Sequence, residues 1–148
     1  YCIENNINHY IQIHKRETKN ALSRKRFDMY IRESTAVLEV TARSSKIRPT
    51  GGRTFNSIAC KTLLIMEKTK QMDGILVPFI HYIPYDTLKE LEIAIEFSCK
   101  SKLLTKKITN NAYKYYKKYY QGDKVWQLIF LFSSNPEITN KSRKNKNL

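Results

Sequence analysis

Five lysines alternate with tyrosines in the segment Leu103–Asp123, and together they could bind a phosphorylated ligand. The lysines are Lys106, Lys107, Lys114, Lys117 and Lys118. Ammonium groups contact phosphate, and flat tyrosine rings can stack on bases or riboses. A core stripe of tyrosines with solvated lysines between them would produce the same pattern without any ligand. Both interpretations fit the spacing.

Further cations occur in four other places. The basic connector His14–Arg26 contains Lys15, Arg16, Lys19, Arg24, Lys25 and Arg26. Lys68 and Lys70 precede an Asp-Gly turn, and the tail contains Arg143 and Lys144. The fourth place is the loop Ser44–Arg53, rich in Ser, Pro, Thr and Gly. Its Lys46, Arg48 and Arg53 could bind phosphate or could be solvated loop charges.

Neither a metal site nor a nucleophilic cluster is indicated. The cysteines are Cys2, Cys60 and Cys99, and the histidines are His9, His14 and His81. None has the spacing of a zinc site or of a disulfide framework, so we expect no metal and no cofactor. Glu92 and Glu96 lie four residues apart and could form a metal-binding pair. Without a third ligand, an exposed acidic face is the expected outcome.

The net charge of +14 indicates a polyanionic partner such as nucleic acid or an acidic membrane. Positive charge dominates residues 1–62 and 101–148 but not the middle of the chain. The longest apolar run, Val125–Phe132, is far shorter than the roughly 20 residues that span a bilayer. Its length is typical of a buried element, and we expect no membrane partner.

Several helices should position these residues. Ile3, Ile7 and Ile11 recur at helical spacing, which predicts an amphipathic helix at the start of the sequence. A second helix should follow the basic connector, and a short one should follow Gly51. Thr87 stands three residues before Glu90, the spacing of a capping box, and predicts the start of another helix.

A β-ribbon is predicted within Glu67–Pro84. An Asp-Gly pair, Asp73 and Gly74, favours a hairpin turn between a first strand near Leu63–Lys70 and a second at Ile75–Ile83. Pro78 suits an edge position, since it cannot donate a ladder hydrogen bond. The expected fold class is mainly α, with five to six helices and one projecting two-stranded β-ribbon.

The order of these elements resembles the bacterial-type family of small-subunit ribosomal protein seven, in a divergent organellar version. The basic strand Glu67–Lys70 with Asp73-Gly74 is similar to the family's ribbon. Leu91–Phe97 is similar to the apolar helix after it, and Ile108–Gly122 to the next helix, with Gly122 as its stop. The segment Leu38–Phe55 is a rival placement for the ribbon.

This resemblance implies a structural, non-enzymatic protein that binds the 3′ major domain of small-subunit ribosomal RNA and helps to assemble the head. Its implied partners are that RNA and neighbouring ribosomal proteins, with transfer and messenger RNA near the ribbon. Its implied location is the mitochondrial ribosome, the alternative being the cytoplasm. We therefore expect an RNA-binding domain over residues 1–134, with the ribbon near 63–83, and a basic tail over 135–148.

Two other classes fit the charge and composition. The first is a small basic helical protein that binds DNA or takes part in a viral interaction, for which the positive charge of this sequence is sufficient. An enzyme acting on nucleic acid would need converging carboxylates, a metal site or a nucleophile with a base, and no such set occurs at recognisable spacing.

Overall fold

A computed structural model describes residues 1–9, 23–40, 52–72 and 74–134. These residues form five α-helices, a short 3-10 helix and three β-strands. The helices are α1 (Arg24–Glu33), α2 (Gly52–Ala59), α3 (Leu88–Lys100), α4 (Lys102–Tyr119) and α5 (Gly122–Ser134). The strands are β1 (Ala36–Glu39), β2 (Leu63–Glu67) and β3 (Ile83–Tyr85). The predicted mainly α class with five to six helices is confirmed.

The three strands form one sheet in the order β1, β2, β3, and both neighbouring pairs are parallel. Ala36 of β1 pairs with Leu63 of β2, and Ile65 of β2 pairs with Ile83 of β3. Every residue of the central strand β2 is buried. A nearly continuous apolar run is what a parallel strand covered on both faces requires.

Side chains of β2 alternate between two hydrophobic clusters, one on each face of the sheet. The first cluster contains Leu64 and Met66 with Ile58 of α2. The second contains Leu63 and Ile65 with residues of β3 and α3. Helix α4 contributes to both clusters, through Ala112 and Ile108 respectively. The sheet is thus enclosed by helices on both faces.

The strands differ in geometry from the predicted projecting ribbon. Strand β2 is present, but its partner β3 is parallel to it and begins only at Ile83. Residues 68–82 therefore cross from the end of β2 to the start of β3, because parallel strands cannot be joined by a tight hairpin. Met72, Leu76 and Tyr82 of this crossover are buried in the first cluster. The crossover packs against the body of the protein.

Local geometry in the crossover still follows the sequence. Gly74 has a φ of +79°, the backbone conformation that its place after Asp73 predicted. Pro78 forms only an isolated bridge to Tyr82. The turn is therefore present without the antiparallel pairing that would make it a hairpin.

Helix α3 begins at the predicted capping box. The Thr87 hydroxyl accepts a hydrogen bond from the Glu90 backbone N–H at 3.2 Å, and the Glu90 carboxylate accepts from the Thr87 N–H at 3.4 Å. The two bonds satisfy donors that the first turn of a helix otherwise leaves open.

Three expectations about helices are corrected. Residues 2–6 form turns and 7–9 no regular structure, where a helix was expected, and the left-handed φ of 51° at Asn6 interrupts any helical path there. Ile11 of the expected helix lies outside the described residues. Helix α4 ends at Tyr119, and Gly122 begins α5 instead of ending α4. The run Val125–Phe132, expected to be buried, exposes Trp126 and Leu131 on α5, because α5 extends beyond the two clusters.

Candidate functional site

The carboxyl edge of the sheet is formed by Glu39, Glu67 and Tyr85, the last residues of β1, β2 and β3. All three side chains are buried. Helix α2 begins beside this edge, since its third residue, Thr54, contacts Glu39. In open sheets of parallel strands, ligands bind outside the carboxyl ends of the strands. The carboxyl edge is therefore the candidate site.

Glu39 at the end of β1 links this strand to α2 and to β3. The hydroxyl of Thr54, which is fully buried, donates a hydrogen bond to Glu39 Oε2. The Tyr85 hydroxyl donates to the Glu39 carbonyl oxygen at 3.4 Å. These bonds connect the end of β1 to the first turn of α2 and to the end of β3. A buried carboxylate needs such partners, and here they also fix where α2 begins.

Glu39 and Glu67 lie on opposite faces of the sheet. Glu39 is in register with Met66, whose side chain belongs to the α2 face, whereas Glu67 is in register with Tyr85 on the α3 face. Side chains of successive strand residues alternate between faces. The two carboxylates therefore do not converge as a general acid and base.

Two exposed cations flank the carboxyl edge. Arg53 lies in the first turn of α2, and Lys68 directly follows β2. Lys68 Nζ is 3.8 Å from Asp86 Oδ2, an exposed ion pair that joins the residues after β2 and β3. The amino end of a helix carries partial positive charge and open backbone N–H groups. The edge thus combines features that favour a phosphate group.

The predicted RNA-binding cations are spread over separate elements. Arg24, Lys25 and Arg26 are exposed in the first turn of α1, and the Arg24 Nε lies 3.2 Å from the Asp28 carboxylate. Lys68 and Lys70 are exposed after β2, and the five lysines of α4 are exposed along that helix. Lys15, Arg16, Lys19, Arg143 and Lys144 lie outside the described residues, as do Lys46 and Arg48. Contact with RNA stays a prediction.

Tyrosines at the end of α4 and directly after it contact one another and neighbouring elements. The Tyr115 ring lies 4.8 Å from that of Tyr119 and 5.8 Å from that of Tyr120, between centroids. Tyr120 also packs on Phe55 of α2 at 5.0 Å. Burial, with a smaller effect of Tyr115, raises the pKa of Tyr120. These contacts favour the core-stripe interpretation for Tyr115 and Tyr120.

His81 is buried at the end of the crossover. Its Nδ1 accepts a hydrogen bond from the Val77 N–H at 3.0 Å, and its ring stacks on Tyr115 at 4.4 Å. Burial lowers the pKa of His81. The neutral imidazole thus carries its proton on Nε2.

Metal-binding side chains do not cluster in the described ranges, where no group of three or more His, Cys, Asp or Glu could hold an ion. Glu92 and Glu96 form an exposed acidic face, as expected, and Glu96 pairs with Lys100 at 2.5 Å. Cys2, Cys60 and Cys99 are free thiols, half-buried or exposed.

The amino-acid sequence matches a known protein family. A family model described as glycosyl transferase-like matches residues 8–130, most of the chain. The chain belongs to this family. The match covers all three strands, α1 to α4 and most of α5. No curated protein matches the chain significantly.

Membership of the glycosyl transferase-like family overturns the resemblance to a ribosomal protein and the ribosomal function inferred from it. The segment Glu67–Pro84 was the strongest part of that resemblance, and its residues 68–82 form a crossover between parallel strands, not a ribbon. The family is named for an enzymatic activity, which conflicts with the expectation of a non-enzymatic protein. The mitochondrial location stays a prediction. Within the described ranges, no helix is long and apolar enough to cross a membrane.

Sequence reasoning missed the carboxyl edge, although a signal was present. Glu39 and Glu67 each end a short apolar run. Helix α1 precedes the run that ends at Glu39, and α2 precedes the run that ends at Glu67. Alternation of strands and helices is typical of parallel sheets, whose carboxyl ends meet. Thr54 gave no signal, because its bond to Glu39 depends on the tertiary fold.

Proposed function

We propose that the protein takes part in glycosyl transfer and binds a phosphate-bearing sugar donor at the carboxyl edge. The observation that carries this proposal is the glycosyl transferase-like family match over residues 8–130. The parallel sheet supports it, because its carboxyl ends and the start of α2 form the kind of edge at which ligands bind. The net charge of +14 also suits an anionic donor.

In glycosyl transfer, an acceptor hydroxyl oxygen bonds to the anomeric carbon of the donor while the bond to the leaving group breaks. The acceptor proton passes to a base, and the leaving oxygen takes the bonding electrons. Cations and backbone N–H groups that stabilise this developing negative charge lower the barrier. Arg53, Lys68 and the first turn of α2 are the groups at the carboxyl edge with the correct charge for that role.

Glu39 and Thr54 have a different role in this proposal. Their side chains are buried and bonded to each other, so they hold the start of α2 in place without touching substrate. A fixed helix start is useful because charge stabilisation depends on donors that do not reorganise during the reaction. We regard both as positioning residues.

The test is donor binding and turnover by the full chain. Nucleoside diphosphate sugars are the probes, and the released nucleoside diphosphate is measured with and without a mixture of sugar and lipid acceptors. Arg53→Gln and Lys68→Gln should each weaken donor binding about tenfold, since a charge-assisted contact contributes roughly 1.5 kcal/mol or more. Lys106→Gln removes the same charge from α4 and should have no effect.

Equal loss in Lys106→Gln would show that only net charge matters and would contradict the site. Donor turnover that persists unchanged in both Arg53→Gln and Lys68→Gln would place the site elsewhere. Absence of donor binding and turnover with every nucleoside diphosphate sugar tested would reject the proposed function.

A further inference from the structure

Helix α5 presents apolar side chains to the outside of the protein. Trp126 is 61% exposed and Leu131 is 67% exposed, and Val125 and Ile129 are also exposed. Helix α5 makes its main contacts with α4, and it lies beyond both hydrophobic clusters. Val125, Trp126 and Ile129 are spaced i, i+1 and i+4 and therefore share one side of α5. Exposed apolar residues grouped in this way indicate a surface that binds a partner or a membrane.

Exposed lysines lie close to the start of this helix along the chain. Lys114, Lys117 and Lys118 are exposed in the last two turns of α4, and Lys124 is exposed in the first turn of α5. From residue 114 to residue 131, Asp123 is the sole acidic residue. The segment therefore combines exposed apolar groups with a strong excess of positive charge.

An anionic lipid surface matches both properties. Nucleic acid would neutralise the lysines and could stack bases on Trp126, but it would leave the aliphatic Val125 and Ile129 in water. At a lipid surface the apolar side chains enter the boundary between headgroups and acyl chains, tryptophan is favoured there, and lysines contact anionic headgroups. The 13 residues of α5 are too few to cross a bilayer but are long enough to lie on one.

We propose that α5 and the lysine-rich end of α4 dock the protein on anionic membranes, with α5 lying in the lipid interface. The expectation from sequence of no membrane partner treated Val125–Phe132 as a buried element, and the exposure of Trp126 and Leu131 removes that reason. The docking surface uses none of the residues of the carboxyl edge. Membrane docking and glycosyl transfer can therefore fail or succeed independently.

The test is co-sedimentation of the full chain with vesicles of phosphatidylcholine, alone or mixed with phosphatidylserine. Binding is expected only with phosphatidylserine. Trp126→Gln combined with Ile129→Gln removes exposed apolar groups from one face of α5 and should weaken binding at least tenfold. Leu103→Gln is the matched control, because Leu103 is as exposed but lies at the opposite end of α4; it should leave binding unchanged.

A second pair of variants tests the charges. Lys117→Gln combined with Lys118→Gln should weaken vesicle binding about thirtyfold, since each lysine at an anionic surface contributes roughly fivefold. Lys106→Gln combined with Lys107→Gln removes the same charge at the other end of α4 and should have much less effect. Thermal midpoints of all variants should stay close to that of the parent, because every substituted side chain is exposed.

Three results would overturn the proposal. The first is equal loss of binding in the two lysine pairs, which would indicate an unspecific charge effect. The second is vesicle binding that does not respond to the α5 substitutions. The third is absence of vesicle binding together with a concentration-dependent dimer that the α5 substitutions abolish, which would assign the surface to a second copy of the chain. Turnover of soluble sugar donors is measured in parallel and should be unchanged by the α5 substitutions.

Discussion

The imidazole of His81 links the crossover to helix α4. Its Nδ1 accepts a hydrogen bond from the Val77 N–H, and its ring stacks against Tyr115. The hydrogen bond from Val77 requires an unprotonated Nδ1, and burial lowers the pKa of His81. The folded state therefore binds a proton at this residue less readily than the unfolded chain does.

We expect the free energy of unfolding to fall as the pH drops below about 6.5, the ordinary histidine pKa, and to level off below the lowered pKa of folded His81. Over that window the unfolded state takes up the proton first, so acid favours unfolding. His81→Phe keeps a flat ring against Tyr115 but removes the acceptor. It should cost about 1 kcal/mol at neutral pH and should remove this part of the pH dependence.

Denaturant unfolding at several pH values measures the effect. His9→Phe is the control, because His9 is exposed and its Nδ1 lies 2.9 Å from the carbonyl oxygen of the neighbouring Ile7, a local contact. Its pH dependence should match that of the parent. A His81→Phe variant that retains the parent's full loss of stability below about pH 6.5, the ordinary histidine pKa, would contradict the assignment.

At the scale of elements, α3 depends on its first turn. The reciprocal bonds between Thr87 and Glu90 satisfy backbone donors there, and Glu90 also accepts the Asp86 N–H at 2.7 Å. Thr87→Ala should lower the free energy of unfolding by about 1 kcal/mol, the usual cost of losing such a cap. Thr87→Ser keeps the hydroxyl and should cost far less. Equal melting curves for the two variants would show that the cap contributes nothing.

At the scale of the whole molecule, the crossover 68–82 is part of the core. Replacing it with a short Gly-Ser turn would remove Met72, Leu76 and Tyr82 from the first cluster and would leave too little chain for a parallel β3. Each buried side chain contributes roughly 2–5 kcal/mol, so the loss rivals the roughly 5–15 kcal/mol by which a domain is stable. We expect no cooperative thermal transition in this variant.

Circular dichroism during heating measures that outcome. Phe79→Gly is the control within the same crossover, because Phe79 is exposed and has a φ of 61°, which glycine adopts more readily. It should melt cooperatively at the parent temperature or above it. A shortened crossover that still melts cooperatively would show that residues 68–82 are not an essential part of the core.

The sequence by itself determined the local features of this protein. The capping box at Thr87, the positive φ of Gly74 and the mainly helical class all depend on residues close together in the chain, and each was predictable for that reason. Glu92 and Glu96 were likewise correctly expected on an exposed face of one helix.

Only the tertiary structure decided the direction of strand pairing, the carboxyl edge and the exposure of α5. An apolar run suits a parallel or an antiparallel neighbour equally, and the choice depends on how residues 68–82 pack against α2 and α4. The same choice brings Glu39 to Thr54 and Tyr85, residues up to 46 positions apart. Such contacts carry no local signal, because their free energy arises only when distant segments are buried together.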